Sequence, residues 1–331
     1  MEQSVKVPEV LEERRRLTQR RLKELVAELE RTGAAEIAGK SACVYATGSV
    51  GRGEMSAESD LDIFIIRDKA TASPLTNLNE IRLKARLIEA ARNLTFPDFS
   101  GDGEYVKSYD IQEDFIKKLG TRKDDYHNVL TARLLLLLES QPILGDDVYK
   151  QAIDKLLSVY WRDYDKNSKH FLPVFLTNDI LRFWKTLCLN YEERTSESNI
   201  GKRRLLNYKL KYSRLLTCYS GVLYLLAVLV RDKGTVSTVA AVEMVRCAPT
   251  KRLEFVAKLG GDVESGVEAI LNNYAQFLKV CETNKSELEA KFTEAEFKKA
   301  RFEEAKAFGN DVAVLLEKVG TGTQLLRYLL V

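Results

Sequence analysis

The chain has 331 residues, 45% of them apolar and 30% charged. That balance fits a soluble globular protein of one large domain or two modest ones and excludes wholesale disorder. Its 51 basic and 48 acidic residues leave a formal charge of only +3, so net charge makes no case for a nucleic-acid coat, although a local basic stripe is still compatible with it. The five cysteines (Cys43, Cys188, Cys218, Cys247, Cys281) form no C-x-x-C pair, which argues against a disulfide framework or a zinc knuckle and makes a reducing, cytoplasmic setting the simplest expectation.

Met1–Lys40 is densely charged, which predicts no secretory leader. A helix is expected where Leu22, Leu25, Val26 and Leu29 recur at helical spacing between Pro8 and Gly33. Arg14, Arg15, Arg16, Arg20 and Arg21 lie among glutamates there and read as a solvated face. Two short β-branched segments follow, Ser41–Thr47 and Asp60–Ile66, joined by a Gly- and Ser-rich connection; both read as strands. A helical pattern returns between Thr76 and Leu94, a loop is marked by Pro97, Gly101 and Gly103, and Glu104–Tyr109 reads as a third strand.

From about Asp124 onward the period is helical: Thr131–Ser140 with its five consecutive leucines, Asp146–Tyr164, Thr177–Tyr191, Leu205–Val230, Thr235–Leu259, Ser286–Ala307 and a short apolar tail. The longest apolar run, Leu215–Val230, contains Thr217, Ser220 and Gly221 and falls short of the roughly 20 residues of a spanning helix. It reads as a buried core helix, and no membrane contact is expected. Strands confined to one early segment and followed by helices give an α+β fold class. The expected domains are a catalytic one at 1–125, N-terminal helix included, and an all-helical one at 126–331 with a C-terminal tail.

The segment that carries chemistry runs from Ala46 to Phe64 and contains Gly48-Ser49, then Gly51-Arg52-Gly53-Glu54, then Ser59-Asp60-Leu61-Asp62. Period-two geometry puts Asp60 and Asp62 on one face of a strand and Leu61, Ile63 and Ile65 on the other. Two adjacent unneutralised carboxylates repel, and a Mg²⁺ ion, which favours one or two carboxylates with phosphate oxygens and water, removes that cost. Gly48 lets backbone N–H groups approach a polyphosphate, and the Ser49 hydroxyl can donate to it. An Asp-x-Asp alone is common at exposed strand ends and a Gly-Ser pair commoner still. Their order and spacing between two apolar strands is what carries the reading.

This succession resembles the nucleotidyltransferase superfamily typified by DNA polymerase beta, in the flavour of its uridylyltransferase-like branch, over roughly the first 150 residues. The resemblance implies a small mixed sheet with flanking helices. It implies that Gly48 and Ser49 hold the triphosphate of an NTP (ATP among them) or dNTP, and that Asp60 and Asp62 hold two Mg²⁺ or Mn²⁺ ions. Arg52, in the same loop, is expected to touch phosphate or acceptor. A third carboxylate completes such sites by taking the proton of the attacking hydroxyl. Glu104 aligns best, with Asp102 and Asp110 as alternatives, and a glutamate there departs from the aspartate the family often uses. In related enzymes the helical domain supplies lysines to the triphosphate; between Lys202 and Lys233 there are eight basic residues and one acid, with Lys209, Lys211 and Arg214 the candidates and a solvated face the alternative. Asp179 and Arg182 read as an internal i,i+3 pair, and His127 and His170 are isolated.

The pairing of such a domain with a helical half is also similar to Hailong-type nucleotidyltransferase-like proteins of antiphage defence. That similarity implies DNA oligomers made from deoxynucleoside triphosphates, deoxyadenosine triphosphate first among them, on a hydroxyl near the protein's own C-terminus. Thr323 and Tyr328, after Gly320 and Gly322, are the candidate hydroxyl carriers, Tyr328 foremost. Docking of Leu325, Leu326, Leu329 and Leu330 onto the core is the alternative. The two coexist in a homo-oligomer, where one subunit's tail enters another's site. Transfer to a separate protein or tRNA, or a non-catalytic nucleotide-binding role in a defence or toxin–antitoxin pair, are the other functions the sequence admits.

Overall fold

The β-branched run after Gly39 forms strand β1 (Ala42–Ala46), which pairs antiparallel with β2 (Ile63–Arg67). The computed structural model describes residues 5–99, 106–193 and 199–330. Strand β2 pairs parallel with β3 (Ser108–Asp110), β1 pairs antiparallel with β4 (Gln141–Leu144), and the sheet order is β3-β2-β1-β4. The parallel pair needs a crossover, and α4 (Asn77–Asn93) supplies it, capped by the Thr76 side chain. Helices α1 (Glu9–Arg31), α2 (Ala34–Ala38), the short α3 (Gly48–Gly51), α5 (Val129–Leu138) and α6 (Asp146–Tyr160) complete this part of the chain.

Alternation along the strands gives the sheet two buried faces. Val44, Ile63 and Ile65 join Leu25, Leu29 and Leu83 in one apolar core beneath α1, α2 and α4. On the other face an aromatic row crosses the strands: Tyr45 stacks on Phe64 with centroids 5.7 Å apart, Phe64 meets Tyr109 at 6.2 Å, and Tyr109 stacks on Phe115 at 5.3 Å. Tyr149 of α6 approaches Tyr45 at 6.3 Å.

The α+β class and the mixed sheet with flanking helices are as expected; several details differ. Strand β2 starts at Ile63 rather than Asp60, because its partner strand turns into α3 after Thr47 and leaves one further rung, Thr47 N–H to Asp62 O at 2.8 Å. Strand β3 covers Ser108–Asp110, and Glu104 and Tyr105, where the expected third strand begins, lie outside the described residues. Strands are not confined to the early segment, since Gln141–Leu144 is added outside β1. Its four residues, one of them Pro142, carry no alternating pattern of their own, and pairing with β1 decides their conformation. Contacts accordingly divide the chain into Glu13–Trp161 and Met1–Glu12 with Arg162–Val331, a boundary at Trp161 where the sequence suggested 125. The arginines of α1 are not all solvated: Arg14 is buried, and Arg21 donates to Leu94 O at 2.7 Å while lying 4.4 Å over the Phe96 ring.

The second unit is helical: α7 (Tyr164–Asn167), α8 (Val174–Glu193), α9 (Ile200–Lys209), α10 (Leu215–Arg231), α11 (Thr238–Arg246), α12 (Pro249–Ala257), α13 (Gly261–Val280), α14 (Lys285–Lys291), α15 (Ala295–Gly320) and α16 (Gln324–Leu330). A π-turn, Leu210–Arg214, links α9 to α10. The resulting helix, Ile200–Arg231, is long and apolar enough to cross a membrane by length and composition, yet 78% of its most apolar window is buried in the protein, as a core helix requires. The helix expected over 235–259 is split before Pro249, which starts α12 at a position where its missing N–H costs nothing. Tyr212 stacks on Phe277 with centroids 4.5 Å apart and meets Phe308 at 4.6 Å, forming the aromatic heart of this unit.

Arg133 interrupts the leucines of α5, fully buried, with Nη1 and Nη2 donating to Asp124 Oδ1 and Oδ2 at 2.5 and 2.9 Å. Asp124→Ala leaves that guanidinium without its bidentate carboxylate, and urea denaturation is expected to show a loss of about 3–5 kcal/mol.

Candidate active site

The site grows out of the end of β1. After Thr47 the chain turns through Gly48 at φ +65° into α3, a left-handed conformation in which glycine carries no steric penalty. Space imposes the same choice: a Cβ on Gly48 would lie 2.4 Å from Asp62 Oδ2. The Asp62 carboxylate therefore packs on bare glycine backbone. Ser49 follows, half-buried, its hydroxyl making no hydrogen bond among the described residues, while its carbonyl accepts Glu54 N–H at 2.8 Å and closes the loop. Asp60 is exposed and has no partner among the described residues.

Beneath the loop lies a buried charged network. Arg52, 8% exposed, donates from Nε to Glu54 Oε2 at 2.8 Å and from Nη1 to Glu139 Oε2 at 3.0 Å. The other oxygen of Glu139 accepts Gly48 N–H at 3.2 Å. Glu139 is the residue on which α5 ends, 1% exposed, and its backbone lies so close that a Cβ on Gly51 would stand 1.9 Å from its carbonyl oxygen. Thr18 of α1 accepts Met55 N–H at 3.0 Å and secures the loop's far end.

Gly48, Ser49 and Asp62 thus meet at one end of the sheet, and Asp60 stands two residues before Asp62 on the chain entering β2. Arg52, expected to touch phosphate or acceptor, is buried and donates to two carboxylates. Asp110 pairs with Arg67, five residues beyond Asp62 and so roughly 16 Å along the strand. Its Oδ1 caps Gln112 and Glu113 N–H at 3.0 and 2.8 Å, which removes it as the third carboxylate of this site. Asp102 and Glu104 lie outside the described residues. Lys209, Lys211 and Arg214 belong to the helical unit, Lys209 exposed at the end of α9 and the other two half-buried on the π-turn. Asp179 and Arg182 form the i,i+3 pair read from the sequence, at 3.1 Å. Tyr328 is 53% exposed on α16, whose Leu325 is fully buried. Glu139 and Glu54 were not found by sequence reasoning: Glu139 lies 91 residues from Gly48, and no local spacing links them.

The donor set suits a hard divalent cation. Among the described residues no three His, Cys, Asp or Glu side chains gather to hold a metal on their own. A cation at Asp60 and Asp62 would complete its shell with phosphate oxygens and water, as Mg²⁺ does. Residues 22–140 match the family model described as Nucleotidyltransferase domain, a span that contains the whole Gly48–Asp62 loop and ends just before β4. No curated protein and no solved structure matches the chain.

Gly48→Ala and Gly53→Ala both place alanine at positive φ, but the nearest atoms to a Cβ on Gly53 are 3.9 Å away. Both are expected to lose about 1–2 kcal/mol of stability from the backbone. Gly48→Ala is expected to lose roughly 0.5–1.5 kcal/mol more as Asp62 leaves its rotamer, read from paired denaturation curves.

Proposed function

We propose that the nucleotidyltransferase domain at residues 22–140 transfers a nucleoside monophosphate from an NTP or dNTP to a hydroxyl group and releases pyrophosphate. The observation that carries this reading is the contact between the Gly48 backbone and the Asp62 carboxylate, which supports a phosphate-binding role for the turn and a cation-binding role for the carboxylate beside it. Asp60 and Asp62 are the residues to hold two Mg²⁺ or Mn²⁺ ions, which when bound neutralise phosphate charge and acidify the incoming hydroxyl. The turn at Gly48 presents Ser49 to the β- and γ-phosphates, and the Ser49 hydroxyl donates to one of their oxygens. The acceptor oxygen bonds to the α-phosphorus as the α,β-bridging P–O bond breaks, the electron pair leaves with pyrophosphate, and Glu104 takes the hydroxyl proton.

For the acceptor, the exposed Tyr328 supports self-priming: a deoxyadenylate oligomer grown on that hydroxyl, in the same chain or a second copy, as an antiphage product. Burial of Leu325 and the packing of α16 on α8 favour a second reading, in which the tail is a docked helix and the acceptor is a separate protein or tRNA.

The test incubates the purified chain with each labelled NTP and dNTP and Mg²⁺ or Mn²⁺, followed by a denaturing gel. Label that extends into a ladder on the protein and disappears in Tyr328→Phe marks self-priming, and a single shift on an added protein or RNA marks the second reading. The double variant Asp60→Asn, Asp62→Asn is expected to reduce labelling about a hundredfold or more. Labelling that survives it, or nucleotide binding without any transfer, overturns the proposed reaction.

A further inference from the structure

We infer that Glu139 is a positioning residue for polyphosphate recognition, an assignment that rests on the nucleotidyl-transfer reading above. Its two oxygens serve two donors at once: Oε1 receives Gly48 N–H at 3.2 Å and Oε2 receives Arg52 Nη1 at 3.0 Å. Arg52 is held from its other side by Glu54 at 2.8 Å, and all three side chains are buried. Gly51 lets the Glu139 backbone lie directly against the loop. The turn at Gly48–Ser49 is thereby fixed from beneath by a carboxylate arriving from the end of α5. Because Glu139 engages the Gly48 N–H, the phosphate contact passes to Ser49, whose aim depends on where Glu139 holds its neighbour. A carboxylate suits the task for two reasons. Both its oxygens accept, whereas an amide offers one acceptor and would turn its NH₂ toward either the guanidinium or the Gly48 N–H. Its length also matters, since an aspartate is one methylene too short to reach both donors from the same backbone position.

The test measures binding, with no turnover required. α,β-Methylene triphosphates of the four ribo- and deoxyribonucleosides and the matching monophosphates are titrated in Mg²⁺ into the full chain and into Glu139→Asp and Glu139→Gln, with thermal melts alongside. The triphosphate affinity is expected to fall about tenfold in both variants and the monophosphate affinity to stay within about twofold, because only the polyphosphate reads the Gly48–Ser49 turn. If neither variant folds, Arg52→Lys, which keeps a cation beside Glu54 but lacks the planar fork that spans both carboxylates, is expected to give the same selective loss. Unchanged triphosphate affinity in a folded variant overturns the role of Glu139 and leaves nucleotidyl transfer standing. An equal fall for triphosphate and monophosphate also overturns it, marking a merely structural tie. A wild-type chain that binds no triphosphate more tightly than its monophosphate overturns the transfer reading together with this one.

Discussion

The antiparallel register of β1 and β2 is the constraint on which the site depends. Ala46 faces Ile63, so the next rung sets Thr47 opposite Asp62, where a single hydrogen bond of 2.8 Å closes the ladder. From that rung the two chains part, one turning through Gly48 and the other leading back to Asp60. A slip of one residue would send Asp62 into the aliphatic core beside Val44 and Ile65, and Ile63 to the aromatic face. Val44, Ile63 and Ile65 in the core beneath α1, α2 and α4 oppose that slip. Tyr45 stacked on Phe64 opposes it from the other side. The apolar packing of the sheet thereby fixes where the carboxylate stands.

The charges of the loop are divided between two levels. Arg52, Glu54 and Glu139 are buried below it and Asp60 is exposed above it. Burying a guanidinium between carboxylates carries a desolvation penalty that an apolar trio of the same volume would avoid, and such groups are a poor route to stability for its own sake. What they supply here is direction. A planar fork and a two-oxygen acceptor fix the turn at Gly48 more narrowly than dispersion contacts do.

The motif itself was legible because its parts are close in sequence and carry their reasons with them: glycine where the backbone must bend to positive φ, and alternate aspartates where a strand begins. The class of fold followed from strands preceding helices. Contacts made across the chain were not legible. Nothing in Gln141–Leu144 announces a strand until β1 offers its free side, and nothing in Glu139 announces a partner for Gly48, since the two meet only when α5 ends beside the loop. Arg52 reads as a ligand from its neighbours in sequence, while its neighbours in space are Glu54 and Glu139. Arg14 and Arg21 belied their charged surroundings for the same reason.

The two outermost strands have a consequence for how copies of this chain can meet. Strand β3 is three residues long, and β4 carries Pro142, which lacks an N–H. Short borders and prolines of this kind make a sheet a poor template for strand addition. Neither margin offers an uninterrupted row of donors and acceptors to a foreign segment, so amyloid-like stacking through this sheet is disfavoured.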